Sequence, residues 1–283
     1  MSALRAAAAP VLLAAALAAH ADAKVTAFRP CIDPNNLPFS NSGGEGFENR
    51  IASLFAERLG VPVQSFATPQ RMNFVRNSLR YKLPGQDYPC DVIMGVPKGY
   101  DQTATTAPYY RSTYVLVFPR GKGFDAVKSG DDLFAAFPAG RAKPVVGIYD
   151  RSPASAWLVK HGWEDQAKPY RMLNADPEEY PGEIIAKDLA QGRIDAAVVW
   201  GPIGGYFAKR VRGVDLVVVP LKSEPGVKFD FEISMGVRYG EGEWKAVVDK
   251  LIAENRAGIA AILRQYNVPL VDEAGNVTNQ ESP

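Results

Sequence analysis

Histidine, cysteine and clustered charge are scarce in this chain, and each scarcity removes a class of function. Its 283 residues include two histidines, and one of them, His20, lies in the N-terminal alanine-rich stretch. That leaves His161, in a Lys160-His161-Gly162 helix end where solvation or pairing with the helix dipole is the expected role, so a histidine-based catalytic triad is not expected. There is no G-x-S-x-G elbow, H-E-x-x-H helix, C-x-x-C pair or Walker loop. The acidic pairs Asp131-Asp132, Glu178-Glu179 and Glu241 with Glu243 lack the D-x-D-x-D-G spacing of a calcium loop and read as solvated turns and helix starts. With 32 basic against 31 acidic residues and no Lys/Arg cluster, there is no electrostatic footprint for nucleic acid. No run beyond the leader approaches the roughly 20 apolar residues of a membrane span, so no membrane anchor is expected. The expectation is a non-enzyme with no catalytic residue, no metal ligand and no cofactor.

What is present is an exported, globular α/β chain. Arg5, the apolar run from Ala6 to Ala18 and the small-residue site Ala21-Asp22-Ala23 occur in the order of a signal peptide, residues 1–23, cut before Lys24. Two cysteines in an exported chain favour a disulfide by compartment. Their places, Cys31 ending one predicted strand and Cys90 starting another, argue for a separation beyond bridging reach, and the pairing stays open.

The chain is organised around Cys90 to Phe118. Two buried-strand signals, Asp91 to Val96 and Tyr114 to Phe118, flank a polar loop with Gly95, Gly99, three threonines and Tyr109-Tyr110-Arg111. Such a loop at the carboxyl end of a strand is where open α/β sheets bind ligands; the alternative is that the two tyrosines only plug the core. Before it come a strand ending at Cys31, a fixed loop DPNNLPF, a helix with Phe47, Ile51, Leu54, Phe55 and Leu59 on one stripe stopped by Gly60, a strand over 61–66, and a helix carrying Met72, Phe74, Val75 and Leu79. This alternation predicts a parallel sheet.

Pro119 to Gly123 reads as a crossing into a second unit. Its elements are a strand at 145–149, a helix start at Arg151-Ser152-Pro153, a helix over 184–189, a strand at 194–200 followed by Gly201 to Tyr206, and Val217 to Val219. Ser152 is a helix cap, or with Arg151 an anion site. Gly201, Gly204 and Gly205 lack dinucleotide-fingerprint spacing. Phe231 to Arg238 then returns to the first unit, two amphipathic helices follow, and the tail beyond Val271 is expected to be loose. The predicted division is 24–119 plus 231–283 as lobe 1 and 120–230 as lobe 2.

The segments DPNNLPFS, GEGFENRIASLFAERLG, DVIMGV, TTAPYYRSTYVLVF and GRIDAAVVWGPIGGYFAK resemble, in order and over nearly the whole chain, the periplasmic solute-binding proteins of the class that binds polar amino acids. The resemblance implies a two-lobed α/β fold, each lobe a mainly parallel sheet flanked by helices, with two hinge crossings and a ligand cleft. It also marks two departures. Where amino-acid binders carry an arginine for the ligand carboxylate this chain has Gly99 and Tyr100, and where they carry an acid for the ammonium it has Trp200. Each lost charge-assisted hydrogen bond costs ~1.5 to 3 kcal/mol, so ordinary amino acids should not bind at micromolar concentration. Trp200 walls the cleft in this reading; as a core filler it would lie beneath the sheet instead.

The wording DPNNLPFSN, GEGFENRIA, PQRMNFVRNSL, CDVIMGVPKGYD and VVWGPIGGYFAK is similar to a narrower group, the MoxJ/XoxJ-type accessory proteins of methanol oxidation. That implies a periplasmic partner of a quinoprotein (PQQ-dependent) methanol dehydrogenase, with a peptide segment or small molecule in the cleft. The alternative is a solute receptor of an ABC importer for a small non-amino-acid ligand. The expected cleft residues are Asp33, Asn35, Asn36, Phe39, Phe47, Gly95, Pro97, Tyr100, Tyr109, Tyr110, Arg111, Arg151, Ser152, Trp200 and Tyr206.

Overall fold

A computed structural model describes residues 25–70, 73–172, 176 and 178–278; the expected leader at 1–23 and Met72 lie outside the described residues. Strand β1 (Pro30–Ile32) is buried throughout. The DPNNLPF loop after it folds into a small antiparallel ribbon of β2 (Asn35–Asn36) and β3 (Ser40–Asn41), with the Leu37–Pro38 peptide cis. The Ser40 hydroxyl ties the ribbon to its base, donating to the Asp33 carbonyl at 2.9 Å and accepting from its N–H at 3.1 Å.

Helix α1 (Phe47–Leu59) has the predicted stripe, with Phe47, Ile51 and Phe55 fully buried. It stops where Gly60 adopts φ 66°, a left-handed conformation that costs a residue with a Cβ, and the Gly60 N–H reaches the carbonyls of Ala56 and Glu57. The next elements are shorter than the sequence suggests: β4 (Phe66–Ala67) and a single turn, α2 (Phe74–Asn77). β5 (Val92–Pro97) follows, and β4 and β5 both run parallel to β1, as the strand-helix alternation predicts.

Cys31 and Cys90 form a disulfide across a Cα separation of 5.2 Å. The positional objection fails because Cys90 does not continue the line of β5: Asp91 lies in a bend, its carboxylate held by Arg29 and Arg238 at 2.6 Å each.

After β6 (Ala104–Thr105) comes β7 (Tyr110–Pro119), longer than predicted. The rest of the chain adds α3 (Gly130–Ala136), β8 (Val146–Tyr149), α4 (Pro153–Lys160), β9 (Ala167–Tyr170), a π-helical turn over Ile184–Leu189, β10 (Ala196–Trp200), α5 (Gly201–Ala208), β11 (Leu216–Pro220), β12 (Asp230–Val237), α6 (Gly242–Glu254) and α7 (Arg256–Gln265). The strand order is β4-β1-β5-β12-β7-β10-β8-β9, with β11 also on β7 and β6 on β12. Parallel strands occupy both ends of this order, and the two strands that pass between them, β7 and β12, are antiparallel to each other and to their other neighbours.

β7 changes partners midway. Tyr110 to Thr113 pair with Ile233 to Asp230, then Tyr114 to Val117 pair with Trp200 to Ala197. The strand is buried on both faces, Val115 and Val117 in one core and Leu116 and Phe118 in another around Trp157, Leu133 and Phe229.

Two local expectations are corrected. The stretch beyond Val271 is folded as far as it is described: Val271 N–H donates to Arg111 O, Thr278 N–H returns to Leu270 O, and the Asp272 carboxylate holds the Asn276 N–H at 2.8 Å. A polar turn of this kind carries no apolar periodicity to reveal it. His161 is neither solvated nor a simple dipole partner. Its ring stacks on Phe134, centroids 3.9 Å apart, and Nε2 lies 3.3 Å from a Glu224 oxygen that also receives Lys160.

Candidate functional site

Five strands, two from one parallel set and three from the other, bring their carboxyl ends to one cavity of about 430 Å³. β1 delivers Asp33, β5 delivers Gly95 and Pro97, β8 ends in Tyr149, β9 runs into Arg171 and Met172, and β10 ends in Trp200. This is where open α/β sheets hold ligands, and the volume is that of a small-molecule site. The crossing strands complete the wall with Tyr110 and Tyr114 of β7 and Phe231 and Ile233 of β12.

The aromatic wall is fixed by strand register. Tyr114 stands directly opposite Trp200 in the antiparallel pair, rings edge to face with centroids 5.4 Å apart. Phe231 meets Trp200 at 5.9 Å and Tyr114 at 6.4 Å, closing a triad of rings drawn from three strands. Each such contact contributes about 0.5 to 1.5 kcal/mol beyond area burial, so the three rings hold the crossing together as well as facing the cavity.

Of the expected residues, the structure brings Asp33, Asn35, Asn36, Phe39, Gly95, Pro97, Tyr110 and Trp200 to the cavity wall. The others lie elsewhere. Phe47 is fully buried in the core against Phe39, Tyr110 and Tyr266. Tyr100 packs on the small cluster around the disulfide. Tyr109 is buried behind Tyr110, centroids 4.8 Å apart. Arg111 is paired with Asp230 and, at 3.6 Å, with Glu232. Arg151 is exposed at φ 59°, and the buried Ser152 donates its hydroxyl to Tyr149 O at 2.7 Å. Tyr206, on α5, stacks on Tyr266 beneath the Arg210 guanidinium.

The wall also holds residues that periodicity passed over: Glu48, Tyr114, Tyr149, Arg171, Glu179, Tyr180 and Phe231. Tyr149 stood at the end of a predicted strand, the position that the strand-end rule marks. Glu179, read as part of a solvated turn, lies on the cleft rim. The rim is bridged where Asn35 Nδ2 donates to Glu178 O at 3.0 Å.

Electrostatically the site is marked by a buried carboxyl. Glu48, in the first turn of α1, is 9% exposed, and burial raises its carboxyl from the ordinary 4.5 to about 8. Burial also pushes the Tyr109 and Tyr110 hydroxyls well above their usual range, with the nearby Glu48 charge adding to both. Asp33, by contrast, is engaged, its carboxylate accepting the N–H groups of Asn35 and Gln70. Among the described residues, no group of three His, Cys, Asp or Glu side chains is arranged to hold a metal ion.

Two sheet regions joined by antiparallel strands, with a cleft at converging strand ends, define the fold of the periplasmic solute-binding proteins. An ancestral cationic amino acid solute binding protein shares this fold at 19% identity and TM-score 0.61, over 85% of this chain and 95% of that one. One further solved structure carries the comparison beyond the fold class, and a second shares the fold. The periplasmic binding protein XoxJ from Methylobacterium extorquens AM1 is 35% identical, with a TM-score of 0.66 over 87% of this chain and 100% of that one. MxaJ from Methlophaga aminisulfidivorans MPT is 22% identical, TM-score 0.71, over 86% and 100%. Protein MoxJ of Paracoccus denitrificans is 27% identical over 273 residues, 91% of this chain and 94% of its own. No family model matches. The chain belongs to the MoxJ/XoxJ/MxaJ-type family, binding-protein homologues that are accessories of methanol oxidation systems. It has a disulfide, and no described helix is long and apolar enough to cross a membrane.

Proposed function

We propose that this chain is a periplasmic accessory factor of a quinoprotein, PQQ-dependent methanol dehydrogenase and acts on that enzyme through its aromatic cleft rather than by catalysis. In this reading residues 1–23 are removed on export, and the lobes 24–119 with 231–283 and 120–230 move about the two crossing strands. The observation that carries it is the ring triad of Tyr114, Trp200 and Phe231 on the cleft wall. By the resemblance to amino-acid binders, Trp200 takes the place of the acid that those proteins carry for the ligand ammonium. Aromatic rings in a desolvated recess are the residues that anchor protein and peptide partners.

The test is co-purification of the protein with the dehydrogenase, with and without Trp200→Ala combined with Tyr110→Ala. The expected result is retention by the parent and loss of both retention and dehydrogenase activation in a variant that still folds. Unchanged retention and activation would remove the cleft from the partner interface.

A second reading, a solute receptor for an ABC importer, is favoured by the cavity volume of about 430 Å³, which suits a small ligand. Permease and ATPase genes beside this one would support it; a neighbouring quinoprotein dehydrogenase and its cytochrome would support the first.

A further inference from the structure

The cleft wall holds acceptors that have no donor. Glu48 lines the cavity as a residue only 9% exposed, and no hydrogen bond or ion pair among the described residues offsets the cost of burying its charge. Asn36 Oδ1, also on the wall, is buried with no partner, its Nδ2 being spent on Gln70 at 2.9 Å. Leaving a buried acceptor unpaired is costly, more so for a charged one, so both side chains favour an occupant that brings N–H groups. The rings of Tyr110, Tyr114 and Trp200 present π faces or edges to the same space, and such faces attract cations.

We infer that the cleft binds a small organic cation, a primary ammonium group on an apolar body, with Glu48 as counter-ion and the Asn36 side-chain carbonyl as acceptor. A calcium or magnesium ion does not suit this wall, since it requires six or more oxygen ligands and only one unengaged carboxylate is offered there by a buried residue. The groups facing Glu48 are the hydroxyls of Tyr109 and Tyr110. Of the other charges on the wall, Asp33 is held by backbone N–H groups, and Glu179 and Arg171 are exposed at the rim. The inference rests on the cleft as the working site and not on the dehydrogenase, so amine titration and dehydrogenase co-purification can fail separately.

Binding is coupled to a proton. With its carboxyl titrating near pH 8, Glu48 is protonated in the empty cleft at neutral pH. Pairing with an ammonium ion releases that proton to solvent, leaving the ammonium with its own protons against the carboxylate. Affinity should therefore rise about tenfold per pH unit from pH 6 to 8 and level off above. The experiment is calorimetry with n-butylamine, n-hexylamine and benzylamine against the neutral benzyl alcohol, in buffers of different ionisation enthalpy.

The expected result is amine binding with release of close to one proton at pH 7, at least tenfold weaker binding of the alcohol, and loss of the amine preference in Glu48→Gln. No binding of any of the three amines at millimolar concentration would overturn the inference, as would equal affinity in Glu48→Gln. The buffer and pH dependence of the unaltered protein reads the same coupling without a variant, and amine binding with no proton release would also overturn it.

Discussion

Glu48 Oε1 occupies the space that a Cβ on Gly95 would fill. The helix end that carries Glu48 and the strand that carries Gly95 thus form one wall, in which the floor residue has no side chain so that its neighbour's carboxyl can lie across it. Gly95→Ala should displace the carboxyl and destabilise the protein by about 1 to 2 kcal/mol, the usual cost of overpacking. Because the clash is with one group, Glu48→Ala should relieve it. A double-mutant cycle by urea denaturation should show Gly95→Ala costing about 1 kcal/mol less in the Glu48→Ala background. Additive effects would mean that the two positions are independent.

The raised Glu48 carboxyl predicts an unusual pH dependence. Its folded value, about 8, lies above the ordinary 4.5, so between these limits the folded chain binds more protons than the unfolded one. Stability from this group is fully present below about pH 4.5 and is lost progressively as pH rises toward 8, at up to about 1.4 kcal/mol per pH unit. Glu48→Gln cannot lose a proton. The variant should match the parent near pH 5 and exceed it in stability by several kcal/mol at pH 8.5, read from chemical denaturation across that range. A difference that stays constant with pH would show that Glu48 titrates normally.

The disulfide Cys31–Cys90 closes a loop of 59 residues that contains α1, β4 and α2. Chain-entropy arguments assign such a loop about 4 kcal/mol of stabilisation, and removal from exported domains costs about 2 to 5. Cys31→Ala with Cys90→Ala, or reduction by dithiothreitol, should lower the denaturation midpoint accordingly. An unchanged midpoint would mean that the packing of Val75, Leu79 and Ile93 around the two sulfurs holds this edge alone.

Local patterns were the legible part of the chain. The stripe Phe47, Ile51, Phe55 and the stop at Gly60 are properties of a few consecutive residues, and so are the apolar runs that became β5, β8 and β10. What was not legible depends on distant partners. β7 begins at Tyr110 because Tyr110 to Thr113 pair with Ile233 to Asp230, more than a hundred residues later. Tyr206 follows the cleft residue Trp200 by six positions, but α5 starts at Gly201, and the helical turn carries Tyr206 round to Tyr266. Glu48 carries no sequence signal of its own; the approach of Gly95, remote in sequence, is what places its carboxyl in the cleft wall. The cysteine pair could not be settled from strand positions because the bend at Asp91 depends on Arg29 and Arg238, both remote in sequence.

Arg111 separates a structural role from a cleft role. From the sequence it belongs at the edge of the cleft; in the fold it sits on β7 opposite Glu232, its guanidinium on the Asp230 carboxylate, which Ser223 also engages. Burial raises the Asp230 carboxyl, but the hydrogen bonds from Ser223 and Arg111 outweigh it and hold the group below its ordinary 3.8. A depressed acid contributes stability above its unfolded value, and that stability is lost as pH falls through the folded one. Arg111→Ala should therefore cost about 2 kcal/mol near pH 7, the scale of a charge-assisted hydrogen bond, and progressively less as the pH is lowered toward 3. Amine binding in the cleft should be unaffected, since Arg111 does not line it. A variant of full stability that has lost dehydrogenase co-purification would instead return Arg111 to the partner surface.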